Sequence, residues 1–403
     1  MYIKFSSVLI ITILLFFVSC KDSLENDLPE LQALNDSIKK IYAPDKRVAV
    51  YNIHLAVLDD QVEITGETDQ EQAIAILMEI LKNKGKKIEN LVSILPDSSV
   101  GVWKNALVNN SVANIRSTAK HSGELATQAI LGTPLKVLKI DGDFYLVQTP
   151  DGYISWVDHG GVALITSDQL SSWEKAPKVI YTKAFGHVFS NMDSEFEKTG
   201  DIVLGSQLIL LEEKGKYYKV QYPDKREGYL KKSESQPYDK WMNDLQASGT
   251  LIELYAKELL GVPYLWGGTS TKGMDCSGFT KTVYLMNGFI IPRDASQQIM
   301  AGKDIDPNLA FEGLQKGDLM FFGKKATDST RQRVTHVGIF LGNKEGQFIH
   351  ASGKVKMGSI NPSSSFYDEF NTNRYLGSRR YLGEKDKGII DLKSSNEETE
   401  IKS

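Results

Sequence analysis

The sequence predicts a multidomain protein of the α+β class: a small N-terminal α+β unit, two small β-barrels in tandem, and a mixed C-terminal domain. Three observations carry this. The chain has 403 residues, too many for one ordinary domain of about 100–200 residues. Its middle repeats one order of strands and turns. Its last third opens on a helical stripe and then brings a cysteine, two histidines and a group of glycines. With 41% hydrophobic and 24% charged residues, the composition supplies apolar material for several cores. A net charge of −4 without a long basic run argues against nucleic acid as a partner.

Residues 1–20, MYIKFSSVLIITILLFFVSC, hold one lysine and then an apolar run from Val8 to Val18. That run is too short for a comfortable membrane span and has the shape of a secretory signal. Its end, Phe17-Val18-Ser19-Cys20, resembles a bacterial lipobox, with Phe17 where leucine is usual. The resemblance implies cleavage before Cys20 and lipidation of its thiol. The mature protein would then be an exported lipoprotein anchored through its N-terminal lipid, in the periplasm or at the outer-membrane face. Residues 21–45 begin KDSLENDLPE and read as a tether, helical or irregular in form. Residues 46–98 read as the small α+β unit, with two extended segments around a turn at Asp59-Asp60 and a final strand at ENLVSIL. Between them Ala73, Ile74, Ile76, Leu77, Ile80 and Leu81 keep helical spacing, with Gly85 as a C-cap.

Two stretches then share a plan: LGTPLKVLKIDGDFYLVQTPDGYISWV and LGSQLILLEEKGKYYKVQYPDKREGYL. Each runs Leu-Gly, apolar strand, Gly-containing turn, aromatic-Tyr-x-Val-Gln, Pro-Asp turn, Gly-Tyr and a last strand. The repeat resembles bacterial SH3 domains, placed at 100–170 and 178–235. A helical stripe of Leu251, Leu254, Tyr255 and Leu259 opens the last domain, 240–384. The tail, 385–403, is rich in Lys, Glu, Ser and Asn and reads as disordered.

If Cys20 carries lipid, Cys276 has no partner thiol, because the chain has only these two cysteines. The run MDCSGFTKTVYLMNG fits a helix that starts near Cys276, where unpaired N–H groups and the helix dipole favour a thiolate. The Cys276 N–H is then an oxyanion donor. Gly267, Gly268 and Gly273 suit a loop that approaches a ligand closely. In RVTHVGIFLGNKEGQFIHASG, His336 and His350 fall on two strand-like runs joined by a Gly-rich turn, so a hairpin sets them side by side. His336 is the base and His350 the group that orients it.

The stretches GVPYLWGGTSTKGMDCSGFT, LQKGDLMFF, THVGIFLG and FIHAS together resemble the NlpC/P60 family of cysteine peptidases. The resemblance covers about 250–384 and implies a papain-like domain, a Cys276–His336–His350 triad and hydrolysis of amide bonds in peptidoglycan stem peptides. The whole layout resembles members with two SH3 domains that recycle murein peptides by cutting the γ-D-Glu to diamino-acid bond behind a free N-terminal L-Ala. In that group an acid and a tyrosine of the first SH3 domain bind the peptide amine, which points to Glu124 and Tyr153 as a buried, charge-assisted site. The same resemblance offers Tyr264 near the oxyanion, Trp266 as a pocket wall, Asp275 facing the charged part of the peptide, Ser277 in the pocket and Asp294 as a further binding acid. Ala295 stands where some relatives carry serine.

No metal motif or nucleotide loop is present in the sequence, so no metal and no cofactor are expected. The expected partners are murein peptides of the type L-Ala-γ-D-Glu-diamino acid and a membrane, with a monomer as the working form. Two other readings use the same residues: an endopeptidase that remodels intact peptidoglycan, and a non-catalytic wall-binding lipoprotein.

Overall fold

A computed structural model describes residues 27–58, 61–193 and 197–394. The signal segment, Cys20, the Asp59-Asp60 turn and the last part of the tail lie outside the described residues. Two compact units result: the chain up to Pro44 with Tyr51–Ser93, and Asp45–Val50 with everything from Ile94 on.

In the first unit Tyr51–Leu58, Gln61–Thr68 and Lys87–Ile94 form a three-stranded sheet in that order. The helix Glu71–Asn83 buries Ala73, Ile74, Leu77 and Leu81, the stripe read from the sequence. A second helix, Leu28–Tyr42, occupies most of the segment expected to be a tether. It buries Leu31, Asn35 and Ile38, a stripe too sparse to stand out among its charges. Asn35 donates its amide to the Ile53 carbonyl at 3.2 Å and accepts the Tyr51 hydroxyl at 2.8 Å.

The two barrels share one strand order. In the first it runs Val162–Ile165, Asn105–Val108, Pro134–Asp141, Phe144–Gln148, Ile154–Asp158, Val112–Arg116, Leu125–Ile130. In the second the corresponding strands are Ser235–Pro237, Lys178–Tyr181, Gln207–Lys214, Tyr217–Gln221, Glu227–Lys231, Phe185–Phe189, Lys198–Val203. Even the irregularities repeat. A bulge falls between Val137 and Lys139 and, in the second copy, between Leu210 and Glu212. Where the first has Gly152 at φ +83°, the second holds Lys225 at φ +75°.

The C-terminal domain sets helices against a six-stranded antiparallel sheet. Its order is Lys303–Asp304, Tyr375–Arg380, Leu319–Lys324, Arg333–Phe340, Gln347–Ser352, Lys354–Ser359. Phe279 and Val283 of the helix Cys276–Leu285 share a core with Phe321, Val337, Ile339 and Ile349 of that sheet. This is the papain-like arrangement: thiol on a helix, histidines on the strands beneath. The tail departs from expectation. Ile390–Asp391 pairs with Phe289–Ile290, and Ile389 and Leu392 pack on the core. Residues 385–394 are therefore docked, because three apolar side chains interrupt an otherwise polar composition.

Candidate active site

Asp275 caps the helix that begins at Cys276. Its backbone is extended (φ −84°, ψ −176°), and its Oδ1 accepts the Gly278 N–H at 2.7 Å. The first helical turn packs directly on the preceding loop: a Cβ on Gly278 would lie 2.0 Å from the Gly268 carbonyl oxygen. Gly267 sits at φ +79°, and a Cβ there would lie 2.1 Å from the Leu125 carbonyl oxygen of the first barrel. These two glycines let a barrel strand press against the loop ahead of the cysteine. Gln128, on that strand, accepts the Thr269 N–H and the Ser270 hydroxyl, each at 3.0 Å, and secures the contact.

Arg293 organises this region. It is 1% exposed. Its guanidinium donates to Asp275 Oδ2 at 2.7 Å and Oδ1 at 3.1 Å, to Ser277 Oγ at 2.9 Å and to Thr127 Oγ1 of the first barrel at 3.0 Å. Burial disfavours its charge, but Asp275 more than offsets this and keeps Arg293 protonated. The Asp275 carboxylate also accepts the Gly267 N–H at 3.0 Å and the Ser277 hydroxyl at 3.2 Å. Both carboxylate oxygens are thus committed to the scaffold, and Asp275 does not face a peptide as the sequence suggested. Ser277, 4% exposed, belongs to the same network. A buried arginine that closes a helix cap has no local signature in the sequence.

Cys276 is 7% exposed. Burial and then the neighbouring Asp275 push its thiol up to about 12, while the Val337 and Ser277 N–H groups and Arg293 pull the other way. The helix starts where the sequence put it, and burial there opposes the thiolate that a helix terminus favours. The Val337 contact brings Sγ beside the strand that bears His336. His336 Nε2 lies 2.8 Å from His350 Nδ1, on neighbouring strands as the hairpin reading required. Burial holds His336 well below its ordinary range and His350 down to about 4. A thiol can pass its proton to a neutral imidazole as its sulfur attacks an electrophilic carbon.

Glu124 Oε1 accepts the Trp266 indole N–H at 2.7 Å. Both are exposed, Trp266 at 63%, so Trp266 is no core residue and Glu124 is not the buried acid expected. Glu124 stands at the rim because it ends a turn of the barrel. Tyr153 is 9% exposed, and burial followed by the Asp294 charge raises its phenol to about 12. Tyr264 is raised by burial and then by its neighbours Cys276 and Asp275. Asp294 caps the short helix Ala295–Gln298 and accepts Arg47 Nη1 at 2.7 Å. Arg47 also grips Asp45 and the Ser296 hydroxyl, and its carbonyl accepts the Ile154 N–H next to Tyr153. Sequence reading missed this arm, since nothing local marks Arg47 as a neighbour of Asp294. Among the described residues no three His, Cys, Asp or Glu side chains cluster as metal ligands.

Comparison with known proteins agrees with this geometry. Residues 261–380 match the NlpC/P60 family, and residues 115–161 match the bacterial dipeptidyl-peptidase Sh3 domain. A gamma-D-glutamyl-L-lysine dipeptidyl-peptidase of Bacillus cereus is 34% identical over 274 residues, 65% of this chain and 77% of its own. Dipeptidyl-peptidase 6 of Lysinibacillus sphaericus is 26% identical over 65% of this chain and 94% of its own. The crystal structure of an NlpC/P60 family protein from Bacillus cereus superposes with a TM-score of 0.59 at 28% identity, covering 69% of this chain and 99% of that one.

Proposed function

Because the chain belongs to the NlpC/P60 family of cysteine peptidases, we propose that it hydrolyses the amide bond between γ-D-Glu and a diamino acid, lysine or diaminopimelate, in short peptidoglycan peptides that begin with a free L-Ala. Relatives named for γ-D-glutamyl-L-lysine cleavage support the bond. The observation that supports the free amine is one exposed carboxylate: Glu124 on the first barrel accepts the Trp266 indole N–H, whereas Asp294, near Tyr153, is already paired with Arg47. An ammonium finds a charge-assisted partner in Glu124, and an N-acylated stem does not.

In this reading Cys276 is the nucleophile. Its proton passes to Nδ1 of His336, because Nε2 of that ring is engaged with His350. The sulfur attacks the γ-carbonyl carbon, and the resulting oxyanion is held by the Cys276 backbone N–H, free of intrahelical partners at the first helical position. Collapse expels the diamino acid, whose amine takes the proton from His336. Water activated by the same imidazole then hydrolyses the thioester. The apolar run ending at Cys20 supports export and lipid anchoring of a monomer, which would place it among released wall peptides and in their recycling.

The test uses the soluble form that lacks residues 1–20. It is offered L-Ala-γ-D-Glu-diaminopimelate, the lysine counterpart and their N-acetylated forms, with products followed by mass spectrometry. Cleavage of only the free-amine peptides is expected, and Cys276→Ala abolishes it. Equal cleavage of acetylated peptides would point to remodelling of intact wall, and no cleavage of any would return the wall-binding reading.

A further inference from the structure

His350 carries more than its contact with His336. Its ring is fully buried, and its Nε2 has no hydrogen-bond partner. A buried ring nitrogen left without a partner is uncommon and calls for an explanation. The atom it faces is Asp368 Oδ2, 3.6 Å away, just beyond hydrogen-bond reach. Asp368 is not placed there by chance of a loose loop. Its N–H donates to the Ser359 carbonyl at 2.9 Å, on the strand next to His350. Its carboxylate accepts the Asn371 backbone N–H at 3.0 Å and the Asn371 side-chain amide at 2.5 Å, capping the helix Glu369–Asn373.

We propose that Asp368 is a positioning residue that fixes the tautomers of both histidines, so that His336 presents an unprotonated Nδ1 to the thiol. This role rests on the reading of Cys276 as nucleophile and His336 as base. For His336 Nδ1 to accept the thiol proton, the neutral ring must carry its hydrogen on Nε2. That hydrogen points at His350 Nδ1, which must then be the acceptor. His350 is left with its hydrogen on Nε2, aimed at Asp368. A carboxylate only accepts, so it favours this chain of tautomers and disfavours the reverse one. No proton travels past His336; when that ring becomes cationic, the Asp368 charge opposes Lys356 and Arg374, whose charges face the histidines from the neighbouring strand and helix end. The gap at 3.6 Å suits a contact that tightens as the imidazolium forms.

Asp368→Asn inverts the polarity of this contact. Its amide N–H faces His350 Nε2, which must become the acceptor, and the hydrogens of both rings reverse. His336 then shows the thiol an N–H. Asp368→Ser keeps a capping oxygen for Asn371 and removes the charge. On the same soluble protein and free-amine peptide, Asp368→Asn is expected to lower kcat at least tenfold with KM within twofold, while Asp368→Ser falls between it and the parent. The second readout needs no substrate: two-bond 1H–15N spectra of histidine-labelled protein should show His336 and His350 as Nε2–H tautomers in the parent and as Nδ1–H in Asp368→Asn. A parent His350 protonated on Nδ1, or an Asp368→Asn enzyme within twofold of parental kcat, overturns the inference. Turnover retained by Cys276→Ala would instead overturn the nucleophile reading and leave the tautomer measurement standing.

Discussion

Removing Arg293 should cost the catalytic unit about 3 kcal/mol, and removing Asp275 as well should return part of it. Arg293→Met deletes a guanidinium that is 1% exposed and makes two hydrogen bonds to Asp275, one to Ser277 and one to Thr127. Breaking a buried ion pair from one side typically costs about 3–5 kcal/mol, because the remaining charge is stranded. Here Asp275 keeps the N–H groups of Gly267 and Gly278 and the Ser277 hydroxyl, which favours the lower end of that range. Asp275→Asn in the Arg293→Met background removes the stranded charge but keeps an oxygen for the Gly278 cap. Urea unfolding of the four proteins, followed by tryptophan fluorescence, closes a double-mutant cycle, with an expected coupling of at least about 1 kcal/mol. Arg293→Met within about 1 kcal/mol of the parent, or a double variant weaker than the single, would refute the claim that this pair anchors the nucleophile helix.

Three further outcomes follow from the same geometry. Glu124→Gln should raise KM for free-amine peptides about tenfold, the lower end of what a hydrogen bond to a charged group contributes, since the carboxylate stands at an exposed rim; unchanged KM removes Glu124 from the amine site. Gly267→Ala should destabilise by about 1–3 kcal/mol and raise KM, because its φ of +79° and the Leu125 carbonyl oxygen at 2.1 Å leave no room for a Cβ; thermal melting and peptide kinetics check it, and parental values for both would deny the close approach. The acid limb of kcat/KM should lie below the ordinary histidine value of 6.5, since burial holds both His336 and His350 neutral. Stability should fall in the same direction. Below about pH 6.5 the unfolded histidines take up protons that the folded ones refuse, so acid favours unfolding. An acid limb at pH 7 or above would contradict both.

What the sequence made legible was whatever rests on local rules. The barrel repeat could be read because turn glycines and alternating strands are local, and the structure carries the likeness down to matching bulges. The placement of Cys276 at a helix start and of two histidines on adjacent strands followed from spacing alone. Illegible were the contacts that join residues far apart in the chain. Arg47 reaches Asp294, Arg293 reaches Thr127, and Asp368 faces His350, and no periodicity announces any of them. The balance of opposing effects was equally hidden. A helix terminus at Cys276 is visible in sequence, but the burial that opposes it appears only once the sheet is packed beneath. In the tail, composition misled because two apolar side chains, Ile389 and Leu392, suffice to dock a polar segment.

The strand Leu125–Ile130 explains why a small barrel shares this cleft. It lies at the end of its sheet, with one barrel partner, Val112–Arg116. An end strand exposes backbone groups that invite pairing and must be covered. Here the cover is the loop that leads to the nucleophile: Gly267 meets the Leu125 carbonyl, Thr269 meets both the backbone and side chain of Gln128, and Arg293 reaches Thr127 between them. The contacts that protect the edge therefore also fix Glu124, one residue before the strand, against Trp266, ten residues ahead of Cys276 along the chain. Stability and recognition are built from one set of atoms. A barrel used merely to tether the enzyme would not need Arg293 buried against its threonine, nor a loop with glycines where its backbone presses in. The geometry instead ties the first barrel to the loop and helix that carry the nucleophile, so any change that loosens its edge acts on that loop.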